Sequence, residues 1–166
     1  MNPYCLRELI NKLKEAILDE RRTAVLYACL SDMSESFQGV DAFAEARRDE
    51  LDHAATLTRI VEKLTGRTPR EATQPVEVEP IRDYCSGVRA AICGERDAIR
   101  EYTELIELSR SRKLDRILEG IRADEEVHYA KFRKLYDTEC VKPCVPCPSQ
   151  DPWMSYASHI PYDGYS

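Results

Sequence analysis

The sequence predicts an all-α four-helix bundle: two antiparallel helix pairs joined by a long crossover, with an irregular C-terminal tail. Three observations predict it. Apolar residues recur at helical spacing in four separate stretches. A proline-bearing stretch with almost no periodic apolar signal, residues 67–80, divides those stretches two and two. The polar residues of the first pair return in the second after a shift of 75 residues.

The first helix is expected from about Pro3 to Ser34. Asn2 suits its N-cap and Pro3 its first position. Leu6, Leu9, Ile10, Leu13, Ile17, Ala24, Tyr27 and Leu30 form its apolar stripe. Phe37-Gln38-Gly39 reads as a turn and Asp41 as the cap of the second helix, which runs to about Leu64. Gly66 fits the position just past its end. Pro69, Pro75 and Pro80 forbid a helix through the next stretch. That leaves a linker of about 14 residues, longer than helix connections usually are. The third helix is expected over Ile81 to Ser109 and the fourth over Lys113 to Tyr136. The short link between them requires antiparallel neighbours. The domain reading is therefore a bundle over 1–137 and a Cys-, Pro- and aromatic-rich tail over 138–166.

Composition agrees with a helical domain. The chain has 166 residues, 33% charged and 43% hydrophobic, with only 6 Gly. Net charge is −6 with no basic patch, so nucleic acid is not an expected partner. No apolar run approaches the roughly 20 residues of a membrane span. The first ten residues lack the layout of a signal peptide. The expected location is the cytoplasm, where the 7 cysteines would be mostly thiols.

The repeat carries the chemistry. The shift lays Glu20 on Glu95, Arg21 on Arg96 and Tyr27 on Tyr102. It also lays Arg47, Asp49, Glu50, His53 and Ala55 on Arg122, Asp124, Glu125, His128 and Ala130. Glu and His three residues apart share one helix face, so both can reach one metal. Two such pairs, with one Glu from each remaining helix, give four carboxylates and two imidazoles, the ligand set of a dinuclear bundle site. All six occupy core positions: Glu20 continues Leu13, Ile17 and Ala24, Glu95 continues Val88 and Ile92, and Glu125 continues Leu118 and Ile121. Burying four carboxylates without a cation is very costly, and metal ions supply the charge. Asp49 and Asp124 are placed to receive the free N–H of a ligand histidine from another helix. Arg21 and Arg96 read as surface charges.

These residues resemble the rubrerythrin branch of the ferritin-like superfamily over about residues 5–137. The resemblance rests on Glu20 with Tyr27, Glu50-x-x-His53, Glu95 with Tyr102, and Glu125-x-x-His128. It implies two iron ions, with manganese the alternative, at a site that reacts with hydrogen peroxide or dioxygen. Glu50 and Glu125 would bridge the metals, Glu20 and Glu95 would be terminal ligands, and His53 and His128 would each bind one metal. Tyr27 and Tyr102 would sit beside the site as catalytic neighbours and hydrogen-bond to ligand carboxylates. An external electron donor, rubredoxin-like or similar, and a homodimer are further implications. Rubrerythrins usually carry another Glu one turn after the third-helix ligand. That position is Ala98 here, with Asp97 and Glu101 off its face. Many also append a rubredoxin with two Cys-x-x-Cys pairs, whereas this tail offers Cys140, Cys144 and Cys147.

The three tail thiols admit several readings: a metal site with His159, a Cys144–Cys147 redox pair feeding the bundle, or a tail without chemistry. Trp153, Tyr156, Tyr162 and Tyr165 suit packing on this bundle or a partner chain. Cys5, Cys29, Cys85 and Cys93 read as small core hydrophobes. The leading expectation is a di-iron peroxidase. A manganese catalase, a ferroxidase or storage protein, and a bundle merely stapled by metal are the alternatives.

Overall fold

The computed structural model describes residues 3–141. Four helices follow in order: α1 (Pro3–Met33), α2 (Phe37–Thr65), α3 (Tyr84–Ser109) and α4 (Arg112–Leu135). A π-helical turn, Tyr136–Cys140, extends α4. Three-residue and two-residue links make α1–α2 and α3–α4 antiparallel pairs, and α1 also packs on α3 and α2 on α4. No described helix is long and apolar enough to cross a membrane.

The ends of the helices explain where the sequence reading shifts. Ser36, not Asp41, caps α2, and its Oγ accepts from the Gly39 amide at 2.9 Å. Gly39 is therefore helical and does not form a turn. Its missing side chain makes room, since a Cβ there would lie 2.7 Å from Tyr84 Oη. Gly66 does end α2, at φ 74°. α3 starts at Tyr84 because Asp83 and Ser86 form a reciprocal capping box. The expected boundary at 137 falls inside the π turn, so helical structure reaches Cys140. Asn2, Cys144, Cys147, Trp153, Tyr156, His159, Tyr162 and Tyr165 lie outside the described residues.

The crossover runs back along α1. A short 3-10 turn, Arg70–Ala72, packs on that helix. Arg21 fastens it by donating to the backbone carbonyls of Glu71 and Gln74, each at 2.7 Å. Arg21 is thus a clamp, unlike the free surface charge expected. Arg96, its repeat partner, is exposed and meets Asp97. The return brings the start of α3 beside the end of α1, where a Cβ on Gly87 would lie 2.5 Å from Leu30, and sets Tyr84 6.3 Å from Phe43 of α2.

Apolar burial is split into two clusters. Leu9, Leu13, Ile17, Leu57, Val61, Leu105, Leu118 and Ile121 fill one end. Tyr27, Leu30, Phe43, Ala46, Val88, Ala91, Phe132 and Leu135 fill the other. Each fully buried Val, Leu, Ile or Phe among them contributes about 1.5–3 kcal/mol. Every helix passes from one cluster to the other, and every helix changes to a polar buried residue between them.

Candidate metal centre

That shared level holds Glu20 from α1, Glu50 and His53 from α2, Glu95 from α3, and Glu125 and His128 from α4, each at most 6% exposed. The three-residue offset places each Glu and His on one turn, facing inward. The six residues named from the sequence therefore come together. They form two groups whose candidate ligand atoms lie within 4.8 Å of one another: Glu20, Glu50, His53 and Glu125, and Glu50, Glu95, Glu125 and His128. Glu50 and Glu125 belong to both.

The imidazoles are oriented alike. Nδ1 of His53 faces Glu125 at 3.2 Å and Glu20 at 3.5 Å. Nδ1 of His128 faces Glu125 at 3.3 Å, Glu50 at 3.5 Å and Glu95 at 3.7 Å. The other ring nitrogen points outward to an aspartate of the opposite half. Nε2 of His53 lies 3.3 Å from Asp124 Oδ2, and Nε2 of His128 lies 3.1 Å from Asp49 Oδ2. An N–H donated to aspartate fixes the ring and leaves Nδ1 for the centre.

The tyrosines cross in the same way. Tyr27 of α1 donates its hydroxyl to Glu95 of α3, and Tyr102 of α3 donates to Glu20 of α1. Burial, and then the surrounding carboxylates, push both hydroxyls well above their ordinary range, so they remain donors.

Without a cation this level is electrostatically awkward. Burial and the neighbouring carboxylates raise Glu50 far above the usual carboxylate range and Glu95 to about 10. Burial alone would lower His53, but Glu125 and Glu20 beside Nδ1 hold it up at about 11. Burial would raise Glu125, but the imidazoles of His128 and His53 beside it bring it down to about 2. Glu20 Oε2, Glu50 Oε1, Glu125 Oε1 and His53 Nδ1 are buried with no hydrogen-bond partner. Each such atom costs about 1–3 kcal/mol, more when charged. Four carboxylates match the charge of two divalent cations, and the hard oxygen and imidazole donors suit iron or manganese. The donor set therefore fits a dinuclear site.

A cavity of about 350 Å³ opens from this level between α1 and α3. Ala98 lines it beside Glu20, Glu95 and Tyr102. Asp97 and Glu101, which helical geometry placed off the ligand face, also line it.

The cysteines differ most from expectation. Cys85 is no core thiol: it forms a disulfide with Cys140, their Cα atoms 5.5 Å apart. The extra turn on α4 brings Cys140 back to the start of α3. Cys140 is thus held by the bundle instead of acting with the tail. Cys5 and Cys93 are exposed and Cys29 is half-buried, so none belongs to the core. Sequence reasoning missed the pair because its two members lie 55 residues apart on helices expected to start and stop elsewhere.

Comparison with known proteins gives the same architecture. A family model described as Rubrerythrin matches residues 11–136. No curated protein matches the sequence significantly. Among solved structures, a ferritin-like, diiron-carboxylate protein from Bacillus anthracis is 23% identical, with TM-score 0.71, over 82% of this chain and 99% of that one. The dodecameric thioferritin of Bacteroides fragilis is 22% identical, with TM-score 0.67, over 81% and 87%. The bacterioferritin of Mycobacterium tuberculosis is 19% identical, with TM-score 0.60, over 83% and 87%. At these identities the neighbours establish a ferritin-like fold.

Proposed function

The chain belongs to the rubrerythrin family, and on that premise we propose that it is a non-haem di-iron oxidoreductase that reduces hydrogen peroxide. One observation carries the reading: two groups of buried ligand atoms share Glu50 and Glu125. Carboxylates shared in this way would hold two metals, whose joint chemistry would act on one small substrate. When bound, the iron pair supplies two electrons by passing from ferrous to ferric.

The remaining residues prepare that chemistry. His53 and His128 each present Nδ1 to one group, held by Asp124 and Asp49. Tyr27 and Tyr102 each occupy one oxygen of a terminal carboxylate and orient the other. Their raised hydroxyls keep protons beside the centre. The cavity past Ala98 admits a molecule the size of peroxide or dioxygen. An external reductant closes the cycle. The same reading makes the protein a cytoplasmic homodimer, by likeness to its family.

Peroxide assays on the iron-loaded protein test this. Consumption that requires an electron donor, without oxygen release, is expected. Oxygen release without any donor would instead mark a catalase. Iron oxidation that continues far beyond two ions per chain would mark a storage protein.

A further inference from the structure

The 75-residue repeat gives each position in one half a counterpart in the other. At the metal level the counterparts agree. Beyond it Ala16, Ile17 and Leu30 still match Ala91, Ile92 and Leu105, but several of the largest core residues differ. On the side towards the α1–α2 link the core is aromatic. Tyr27, Phe43 and Phe132 are fully buried. Phe43 lies 5.7 Å from Tyr27 and 4.6 Å from Phe132, centre to centre, and Tyr27 lies 5.0 Å from Phe132. Tyr84 stands against Phe43 at 6.3 Å, and the His128 ring is 6.1 Å from Phe132. The counterparts of Phe43, Phe132 and Tyr84 are Leu118, Leu57 and Leu9, all buried in the aliphatic cluster. Leucine therefore satisfies the packing at these three positions, and the rings of Phe43, Phe132 and Tyr84 are an addition on one side, whereas Tyr27 has Tyr102 as its counterpart.

The aromatic column ends at the disulfide. Cys85 follows Tyr84 in the chain and is bonded to Cys140. Glu139, next to Cys140, accepts from Tyr84 Oη at 2.8 Å. The counterparts of Cys85 and Cys140 are Ile10 and Thr65, so the pair, like the rings, is confined to one end. Both cysteines are half-buried, not sealed in the core. At the other end of the column Tyr27 donates to Glu95 at the metal level. These rings stand at separations where aromatic π systems interact, and the leucines of the other half offer no such contact.

We propose that Cys85 and Cys140 are the electron port of the metal centre, a dithiol–disulfide couple joined to it by Tyr84, Phe43, Phe132 and Tyr27. The proposal rests on the peroxide-reducing reading above. The two thiols release two electrons and two protons as the S–S bond forms. The electrons return two ferric ions to ferrous, and the protons replace the two taken up as peroxide becomes two waters. An external dithiol then opens the bond by exchange and leaves as a disulfide. The sum is one peroxide and one dithiol giving two waters and one disulfide.

The test uses the full chain, loaded with ferrous iron, reduced with dithiothreitol, desalted without oxygen and mixed with one equivalent of peroxide. Ferric absorbance is followed, and Cys85 and Cys140 are mapped by alkylation and mass spectrometry. The ferric signal should form and then decay as the Cys85–Cys140 bond appears. In Cys85→Ser/Cys140→Ser the signal should persist. Phe43→Leu/Phe132→Leu, which installs the residues of the other half, should keep its iron and slow the decay by about tenfold. Iron content and melting temperature verify that each variant is folded. A ferric signal that persists in the unmodified protein while both thiols stay free overturns the port alone. So does bond formation as fast in metal-free protein, or decay as fast in the leucine variant. If no ferric signal forms even in Cys85→Ser/Cys140→Ser, the peroxide-reducing reading falls and takes the port with it.

Discussion

Asp124 Oδ2 lies 3.3 Å from Nε2 of His53, a contact between α4 and α2 that joins the two halves of the repeat. Its mirror, Asp49 with His128 at 3.1 Å, joins them in the opposite sense. Each half thus orients the other's imidazole. Asp124→Ala should weaken metal affinity about 10–100-fold, as loss of an outer carboxylate does elsewhere. Competition against a chromophoric chelator measures it. Asp49→Ala should behave alike, and a variant with ordinary affinity would show that the contact does not orient the ring.

Tyr102 donates to one oxygen of Glu20 and Tyr27 to one oxygen of Glu95. Tyr102→Phe should retain two metals per chain and lose turnover by about tenfold, the effect of one hydrogen bond to a charged group. Loss of metal in parallel with turnover would assign the hydroxyl to holding the site together instead.

Metal loading should release protons. In the metal-free protein His53, near 11, and Glu95, near 10, both carry protons at neutral pH. Two divalent ions must displace at least these, so apparent affinity should rise with pH. Calorimetry in buffers of different ionisation enthalpy counts the protons. A count near zero would contradict the assignment.

The same groups set how the metal-free stability depends on pH. Glu95 and His53 are raised above 4.5 and 6.5, so between those values and 10 and 11 the folded state binds more protons than the unfolded chain. Stability therefore falls as pH rises through that window. Glu125, lowered to about 2, has the opposite sign: its contribution is present above 4.5 and lost as pH falls towards 2. The melting temperature of metal-free protein should fall between pH 6.5 and 10, and bound metal should flatten the slope. A melting temperature that climbs over this range would reverse the sign worked out here.

Arg21 and Arg96 are repeat partners with different work. Arg21 donates to two crossover carbonyls, while Arg96 meets Asp97, its sequence neighbour, at the surface. Arg21→Ala should cost about 1–2 kcal/mol in urea denaturation and Arg96→Ala about 0.5 kcal/mol or less. Equal costs would mean that the crossover is not fastened there.

The buried Glu and His level was legible because a helix turns residues three apart onto one face, and because the repeat shows the Glu-x-x-His pair twice, as Glu50 with His53 and Glu125 with His128. The apolar stripes through Leu13 and Ile17 then located Glu20 in the core. The Cys85–Cys140 bond was not legible, since it depends on where the crossover returns α3 and on one more turn of α4. The clamp by Arg21 was hidden for a different reason: its acceptors are backbone carbonyls, which carry no residue signature. Ser36 and Asp41 are both good caps, and Gly39 reads as a breaker until its close approach to Tyr84 is seen.

Anomalous diffraction at the iron edge, from crystals of iron-loaded protein, tests the two-metal site most directly. Two peaks per chain are predicted, one among Glu20, Glu50, His53 and Glu125 and one among Glu50, Glu95, Glu125 and His128. A single peak, a peak elsewhere, or none at this level would contradict it.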